Sequence, residues 1–377
     1  MIAGDPLPFP SQSLFNPHRI LLDSSDFPEG ILVEDQLLSQ LLNNWFTFVF
    51  MNTWCINQPN SDPYFNLAAE EYFLKNFQED FFILWRSWAS VIVGKHQNAL
   101  AEINHEFVKM NNIPVARRLS GGGTVFHDPG NVNFTFIRNI DKVSDVSFKI
   151  FTDPVTEVLK KLGIEAYTTG RNDLLIEGKK ISGNAEHIHK NRVLHHGTLL
   201  FNSHLEALRG ALKVDLSKYD DKAVKSNRSE VANIADYLTS PMSVEKFTDI
   251  LFQEIGKNIP EAMVYTPTSA DQEAIQKLSI EKYQTWEWIF GYSPRYHFKN
   301  TLETLQGTLQ IGLLVEHGLI AEMTLTGNIA SEHGQTISRS LIGWQHEHEA
   351  LKSALPEQDD LFSLYSIIPE RFLNALF

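Results

Sequence analysis

Cysteine is almost missing from this chain: Cys55 is the sole example among 377 residues. That excludes an intrachain disulfide framework and any metal centre built from several thiolates, and it suits a reducing cytosol. Basic residues are also short, 32 Lys and Arg against 46 Asp and Glu, for a formal net charge of −14. Such a balance argues against nucleic acid as a partner. No apolar run reaches membrane-spanning length, so no membrane association is expected. The opening MIAGDPLPFPSQS lacks the basic head of a signal peptide. A GxxxxGKS/T phosphate loop and a serine nucleophile elbow are likewise missing. What remains is a chain 43% hydrophobic and 11% aromatic, globular by composition and long enough for two domains.

Residues 1–50 differ from the rest. Prolines at 6, 8 and 10 predict a poorly ordered extension, with a short amphipathic helix over 31–50. A domain start is expected at Met51. Beyond it the pattern mixes helices and strands without regular alternation, which predicts an α+β fold. Asp62-Pro63 is a helix opening, an N-cap followed by proline at the first helical position. Strands are expected over 52–56, 81–85, 90–93, 132–137, 164–168, 174–176, 179–182 and 193–201. Helices are expected over 103–111, 146–162 and 243–255, the second closed by Gly163. After Pro294 a hairpin over 307–325 and two helices, 337–355 and 359–377, predict a second small α+β unit.

Three motifs carry chemistry. In RRLSGGGTVFHDPGN, residues 117–131, three glycines lie between two strands. Such a turn exposes successive backbone amides to an anion, and Arg117 and Arg118 beside it suit bidentate phosphate or carboxylate recognition. In GRNDLLIEGKKISGNA, residues 170–185, Glu177-Gly178 predicts a tight hairpin. Neighbours on a strand face opposite ways, so one of Lys179 and Lys180 meets solvent and the other can enter a site. Asn172, Asp173 and Ser182 are the polar groups expected around it. In LHHGTLLF, residues 194–201, adjacent histidines point apart and lack a third ligand of suitable spacing, so no dedicated metal site is expected. A hydrogen-bonding site histidine or a buried structural one fits better. His346-Glu347-His348-Glu349 reads as a solvated helix start.

Together these motifs resemble the lipoate–protein ligase A family. RRLSGGGTVFHDPGN is similar to its adenylate-binding turn, and GRNDLLIEGKKISGNA with HHGTLLF to its lysine-bearing hairpin and following strand. DPYFNLAAEE (62–71), SNRSEVANI (226–234) and WEWIFGYSP (286–294) resemble its first helix, a nucleotide-contacting loop and the close of its large domain. The resemblance runs from about Thr53 to the C-terminus. It implies a class II aminoacyl-tRNA synthetase/biotin ligase-like mixed-sheet catalytic domain over 51–294 and a small α+β accessory domain over 297–377.

The implied activity is ATP- and Mg2+-dependent activation of free lipoate to lipoyl-AMP. Transfer then follows to a lysine of apo lipoyl domains, in 2-oxoacid dehydrogenase acyltransferase subunits or the glycine cleavage H protein, in the cytoplasm. The implied adenylate-binding residues are Arg118, Gly121, Gly122, Gly123, Thr124, Val125, Phe126 and Lys180. Lys180 is also the implied catalytic group, and Arg118, Lys180, His127 and His196 are placed at lipoate. A lipoyl amidotransferase that takes only preformed lipoyl-AMP, or a non-catalytic lipoate-binding paralogue, remains an alternative. A cysteine acyl-enzyme transferase needs a thiol in the pocket, and Cys55 lies on the first predicted strand. The glycine-arginine-rich signature of biotin ligases is missing.

Overall fold

A computed structural model of the chain describes residues 53–142, 146–169, 173–212, 214–227, 229–355 and 360–377. The expected extension over 1–50, its helix, and Asn172 lie outside the described residues. The fold is α+β. Its strands are β1 (Thr53–Asn57), β2 (Asp80–Trp85), β3 (Ser90–Val93), β4 (Val115–Arg117), β5 (Val125–His127), β6 (Asn131–Asn139), β7 (Tyr167–Thr168), β8 (Asp173–Ile176), β9 (Lys179–His189), β10 (Arg192–Leu200), β11 (Tyr219–Asp221), β12 (Ala262–Val264), β13 (Tyr296–Thr304), β14 (Gly307–Glu316) and β15 (Leu319–Gly327).

Eight strands form one mixed sheet, in the order β12-β1-β2-β6-β10-β9-β8-β7. β12, β1 and β2 run parallel, and the pairs from β2 to β7 are antiparallel. Both faces are covered. Helices Lys149–Lys161 and Val244–Asn258 pack on one face through Phe151, Val155, Phe247 and Leu251. Helix Pro63–Asn76 packs on the other through Leu67, Ala68 and Phe73. Asp62 caps this helix, its carboxylate accepting from the Tyr64 amide at 2.8 Å, as the Asp-Pro pair predicts. Gly163, at φ +82, ends the 149–161 helix as expected.

A three-stranded sheet, β4-β3-β5, stands beside the large one, and β11-β13-β14-β15 forms a third. The expected hairpin over 307–325 is β14 and β15, but β13 escaped the sequence reading. Its residues YHFKNTLET alternate inward and exposed positions, but Asn300 and Thr304 take two of the five inward places and only Tyr296, Phe298 and Leu302 are buried, so the apolar pattern is weak. The helix expected over 337–355 is two: Ser331–Leu341 and His348–Ala354, separated by Gly343 at φ +87. The last helix likewise splits into Asp360–Leu364 and Pro369–Asn374, with proline opening the second piece.

The helix start expected at His346 to Glu349 is found, with Glu347 as its cap and Glu349 exposed, but the solvated reading of the two histidines is overturned. His346 and His348 are 1% and 3% exposed. The Leu376 carbonyl, 2.6 Å from His346 Nε2, can only accept, so Nε2 donates to it and Nδ1 accepts from the Tyr296 hydroxyl at 2.6 Å. The rings of His105 and His346 stack on Phe377 at centroid distances of 4.2 and 4.8 Å. Lys109 Nζ lies 2.9 Å from the His348 ring. The small sheet's helix His105–Met110 is thereby joined to the C-terminal unit.

Candidate active site

Residues 118–124 link β4 to β5, which flank β3 on opposite sides. The glycine turn is therefore a loop across the end of three strands, not a hairpin. Gly122 adopts φ +85, a conformation glycine takes without steric cost. Where the loop leaves β4, Arg117 and Arg118 face opposite ways, as successive residues of extended chain do. Arg117 is fully buried. It donates to the carbonyls of Gly94, Gln97, Trp288 and Ile289 and to Ser293 Oγ, at 2.6 to 3.0 Å. The anion-binding role expected of Arg117 is withdrawn, because backbone acceptors saturate its guanidinium. It splices the WEWIFGYSP segment to the end of β3.

Arg118 shapes the turn. It donates to the carbonyls of Gly121 and Gly123 at 2.6 and 2.7 Å, to Ile92 at 3.1 Å and to Ser120 Oγ at 3.0 Å. Burial pulls its pKa down to about 10, so it stays cationic at neutral pH. With the turn's carbonyls held in this way, the Gly121, Gly122 and Gly123 amides carry no hydrogen bond among the described residues. The Thr124 amide donates to Ser226 Oγ at 2.8 Å, and a Cβ on Gly123 would meet that oxygen at 3.0 Å. The SNRSEVANI loop is thus seated on the glycine turn.

Lys180 comes from the β8–β9 hairpin, whose turn residues Glu177 and Gly178 have φ of +50 and +81. Its partner on β8 is Leu175, while Ser182 pairs with Leu174, so Ile181 is an extra residue on β9. Such a bulge re-aims nearby side chains. Lys180 Nζ rests 2.8 Å from Asp173 Oδ1, and a Cβ on Gly183 would meet that ammonium at 3.1 Å. Lys179 points the other way, 3.7 Å from Glu230 and more exposed.

Three cavities border Lys180, one of them a groove outside the hairpin beside Glu230, and the other two reach the residues of the glycine-turn motif. The first is a narrow slot of about 80 Å³ walled by Leu67, Trp85, Ile92 and Val125, into which Arg118 and Asp173 bring charge. His127 and His196 also border it. The second, about 420 Å³, is lined by Thr124, Phe126, Ser182 and Ser226, with Leu208 and Leu212 supplying apolar surface. Val125, Lys180, Gly183 and Thr198 border both. Gly121, Gly122 and Gly123 line neither and form the loop beside them.

Behind the slot runs a buried chain of hydrogen bonds. Trp85 Nε1 donates to Thr135 Oγ1 at 3.1 Å, which donates to Glu70 at 2.5 Å. Glu70 accepts from His196 Nδ1 at 3.0 Å, leaving Nε2 to accept from the Ser120 hydroxyl at 2.6 Å. Ser120 in turn accepts from Arg118. His195, on the other face of β10, packs on Phe151 and meets Glu186 at 2.9 Å. The paired histidines therefore point apart, as adjacent strand residues are expected to, His196 toward the slot and His195 into the core. No group of three or more His, Cys, Asp or Glu suited to a metal occurs among the described residues, nor does any helix long and apolar enough to cross a membrane.

Sequence reasoning missed the slot's walls. Leu67, Trp85 and Asn133 come from three separated segments, and only the packing of the helix on the sheet joins them. One signal was readable: in Asn131-Val-Asn-Phe-Thr135 every second residue is polar, yet the strand is buried on both faces.

Residues 62–256 match the family model of the lipoyl protein ligase A/B catalytic domain, and residues 293–376 that of the bacterial lipoate protein ligase C-terminus. Lipoate–protein ligase 1 of Staphylococcus aureus is 41% identical over 306 residues, covering 80% of this chain and 93% of that protein. A crystal structure of lipoate–protein ligase A bound with ATP is 25% identical with a TM-score of 0.55, over 64% of this chain and 100% of the other. The bipartite lipoate protein ligase of Thermoplasma acidophilum, studied with its E2 lipoyl domain, is 26% identical with a TM-score of 0.55, over 64% and 97% of the two chains.

Proposed function

The chain belongs to the lipoate–protein ligase family, and from that premise we propose that it activates free lipoate with ATP and transfers the lipoyl group to a protein lysine. The observation that carries this reading is the meeting of two cavities at one ammonium. The slot suits an apolar acyl tail ending in a carboxylate, and the larger chamber suits a nucleotide. Of the four residues that border both, Val125, Lys180, Gly183 and Thr198, Lys180 alone is charged.

In the first step a lipoate carboxylate oxygen attacks the α-phosphorus of Mg·ATP. The bond to the β-phosphate oxygen breaks, and pyrophosphate leaves with its electron pair. Two anions must approach, so fixed positive groups are needed. Lys180 Nζ and the glycine-turn amides stabilise charge developing on the α-phosphate, and Arg118 holds the turn that presents those amides. Asp173 positions the lysine until an anion takes its place. Mg2+ would arrive with the triphosphate, and such ions need only one or two protein carboxylates; Glu102 in the larger chamber and Asp173 in the slot would be the carboxylates able to hold it.

In the second step an acceptor lysine amine attacks the mixed anhydride, AMP leaves, and an amide forms. The acceptors in this reading are apo lipoyl domains of 2-oxoacid dehydrogenase acyltransferase subunits and the glycine cleavage H protein, in the cytoplasm. Residues 51–294 carry this chemistry, residues 297–377 form the accessory unit, and residues 1–50 take no part in it. Lipoate-dependent ATP–pyrophosphate exchange tests the activation step. Exchange above background is expected. Transfer from synthetic lipoyl-AMP without exchange would instead assign a lipoyl amidotransferase.

A further inference from the structure

The acyl slot is not uniformly apolar. Along β6, Val132, Phe134 and Phe136 enter the core on one face, and Asn131, Asn133 and Thr135 take the other. Thr135 has both its partners. Asn133 is 2% exposed and borders the slot. Its Oδ1 accepts from Asn131 Nδ2 at 2.9 Å, while its Nδ2 is buried without a partner among the described residues. His127, 3% exposed, borders the same slot edge-on to Trp85, and its Nδ1 is likewise buried and unpartnered. Buried polar groups left unpaired cost stability, so a slot made only for hydrocarbon would carry aliphatic residues here.

Position says which part of a ligand these groups would meet. β6 lies two strands from β9, across β10, about 10 Å at ordinary strand spacing. A medium-length acyl chain with its carboxylate at Lys180 would bring its far end to this wall. Chemistry narrows that end. Asn133 is neutral, and burial draws His127 down to about 3, so the imidazole is neutral too. The flanking surfaces are Trp85 and Ile92. A neutral, polarisable group that accepts weak hydrogen bonds and packs against an aromatic ring fits this wall, and sulfur does both.

We propose that Asn133 and His127 form a sulfur-recognising wall at the far end of the acyl slot, which selects a dithiolane-bearing eight-carbon acid over the plain eight-carbon acid. The proposal rests on the lipoate-activating reading for its substrate and on the unpartnered groups for its selectivity. The test compares lipoate with octanoate in ATP–pyrophosphate exchange by the full chain and by Asn133→Leu, which matches the side chain in size. The ratio of kcat/KM for lipoate over octanoate is expected to fall about tenfold, the lower end of what a small difference in pocket contacts supplies. An unchanged or larger ratio overturns the proposal. A folding defect alone would depress both acids together and leave the ratio unmoved. If Asn133→Leu does not fold, Asn133→Thr, suited to a strand, is expected to lower the ratio at least threefold, and an unchanged ratio has the same meaning. Calorimetric titration with each free acid reads the slot even if no exchange occurs. Selective lipoate binding without exchange would refute activation while sustaining the wall, and exchange with equal affinity for both acids would do the reverse.

Discussion

Acid should loosen this protein through His346, by an amount the structure lets one work out. The ring is buried, with Nε2 donating to the Leu376 carbonyl and Nδ1 accepting from Tyr296. Burial draws its pKa down to about 4, against a smaller upward pull from the Leu376 carbonyl. The ordinary value in an unfolded chain is about 6.5. A histidine whose folded pKa is depressed stabilises the fold as the neutral ring. Its contribution is complete above about pH 6.5 and is lost as pH falls through about 4. At pH 5 the unfolded ring is almost fully protonated and the folded ring scarcely at all, which removes about 2 kcal/mol relative to pH 7.5. His105, drawn to about 4 by burial and then by His348, His346 and Lys109, adds a loss of the same sign. Urea unfolding at the two pH values, for wild type and His346→Gln, isolates the His346 share. The variant is less stable throughout. Its loss between pH 7.5 and 5 is expected to be smaller than the wild-type loss by about 2 kcal/mol. Equal losses in the two proteins would show that His346 does not resist protonation, and the buried-ring argument would fail.

Other perturbations separate chemistry from scaffold. Lys180→Ala is expected to fold normally and lose pyrophosphate exchange by about 100-fold or more, the scale for removing a charge-stabilising donor; Lys179→Ala, facing away, should change it far less. Arg117→Ala should cost about 3–5 kcal/mol in denaturant unfolding, because it strips partners from several buried carbonyls, and a loss under 1 kcal/mol would mean the 286–294 segment is held some other way. Cys55→Ser should retain ligation of a lipoyl domain, read by mass shift, since the thiol lies in the sheet core and burial raises its pKa to about 11; a folded but inactive variant would restore a thiol mechanism.

What could be read from the sequence was local. Asp62-Pro63, Gly163, the turn at Glu177-Gly178 and the division between Lys179 and Lys180 each follow from backbone preference within a few residues, and each is found. What could not be read depends on which segments become neighbours. Arg117 looked like an anion binder because its carbonyl partners come from two other segments, the loop after β3 and the remote turn around Trp288 and Ile289. His346 and His348 looked solvated because Phe377 and His105, which cover them, are remote in the chain. Asn133 carried a readable oddity, a polar row in a strand buried on both faces, but its meaning required the slot.

β11 belongs to two bodies at once. Its residues 219–221 pair with β13 as the edge of the accessory sheet, and five residues later Ser226 is seated on the glycine turn. Five residues of fully extended chain span at most about 18 Å. Asp221 shortens that reach further, because it accepts from Asn98 at 3.2 Å and pairs with Lys225 at 2.7 Å. The linkage therefore works as a leash: a short stretch of covalent chain bounds the distance between the edge of the four-stranded sheet and the Ser226 wall of the larger chamber.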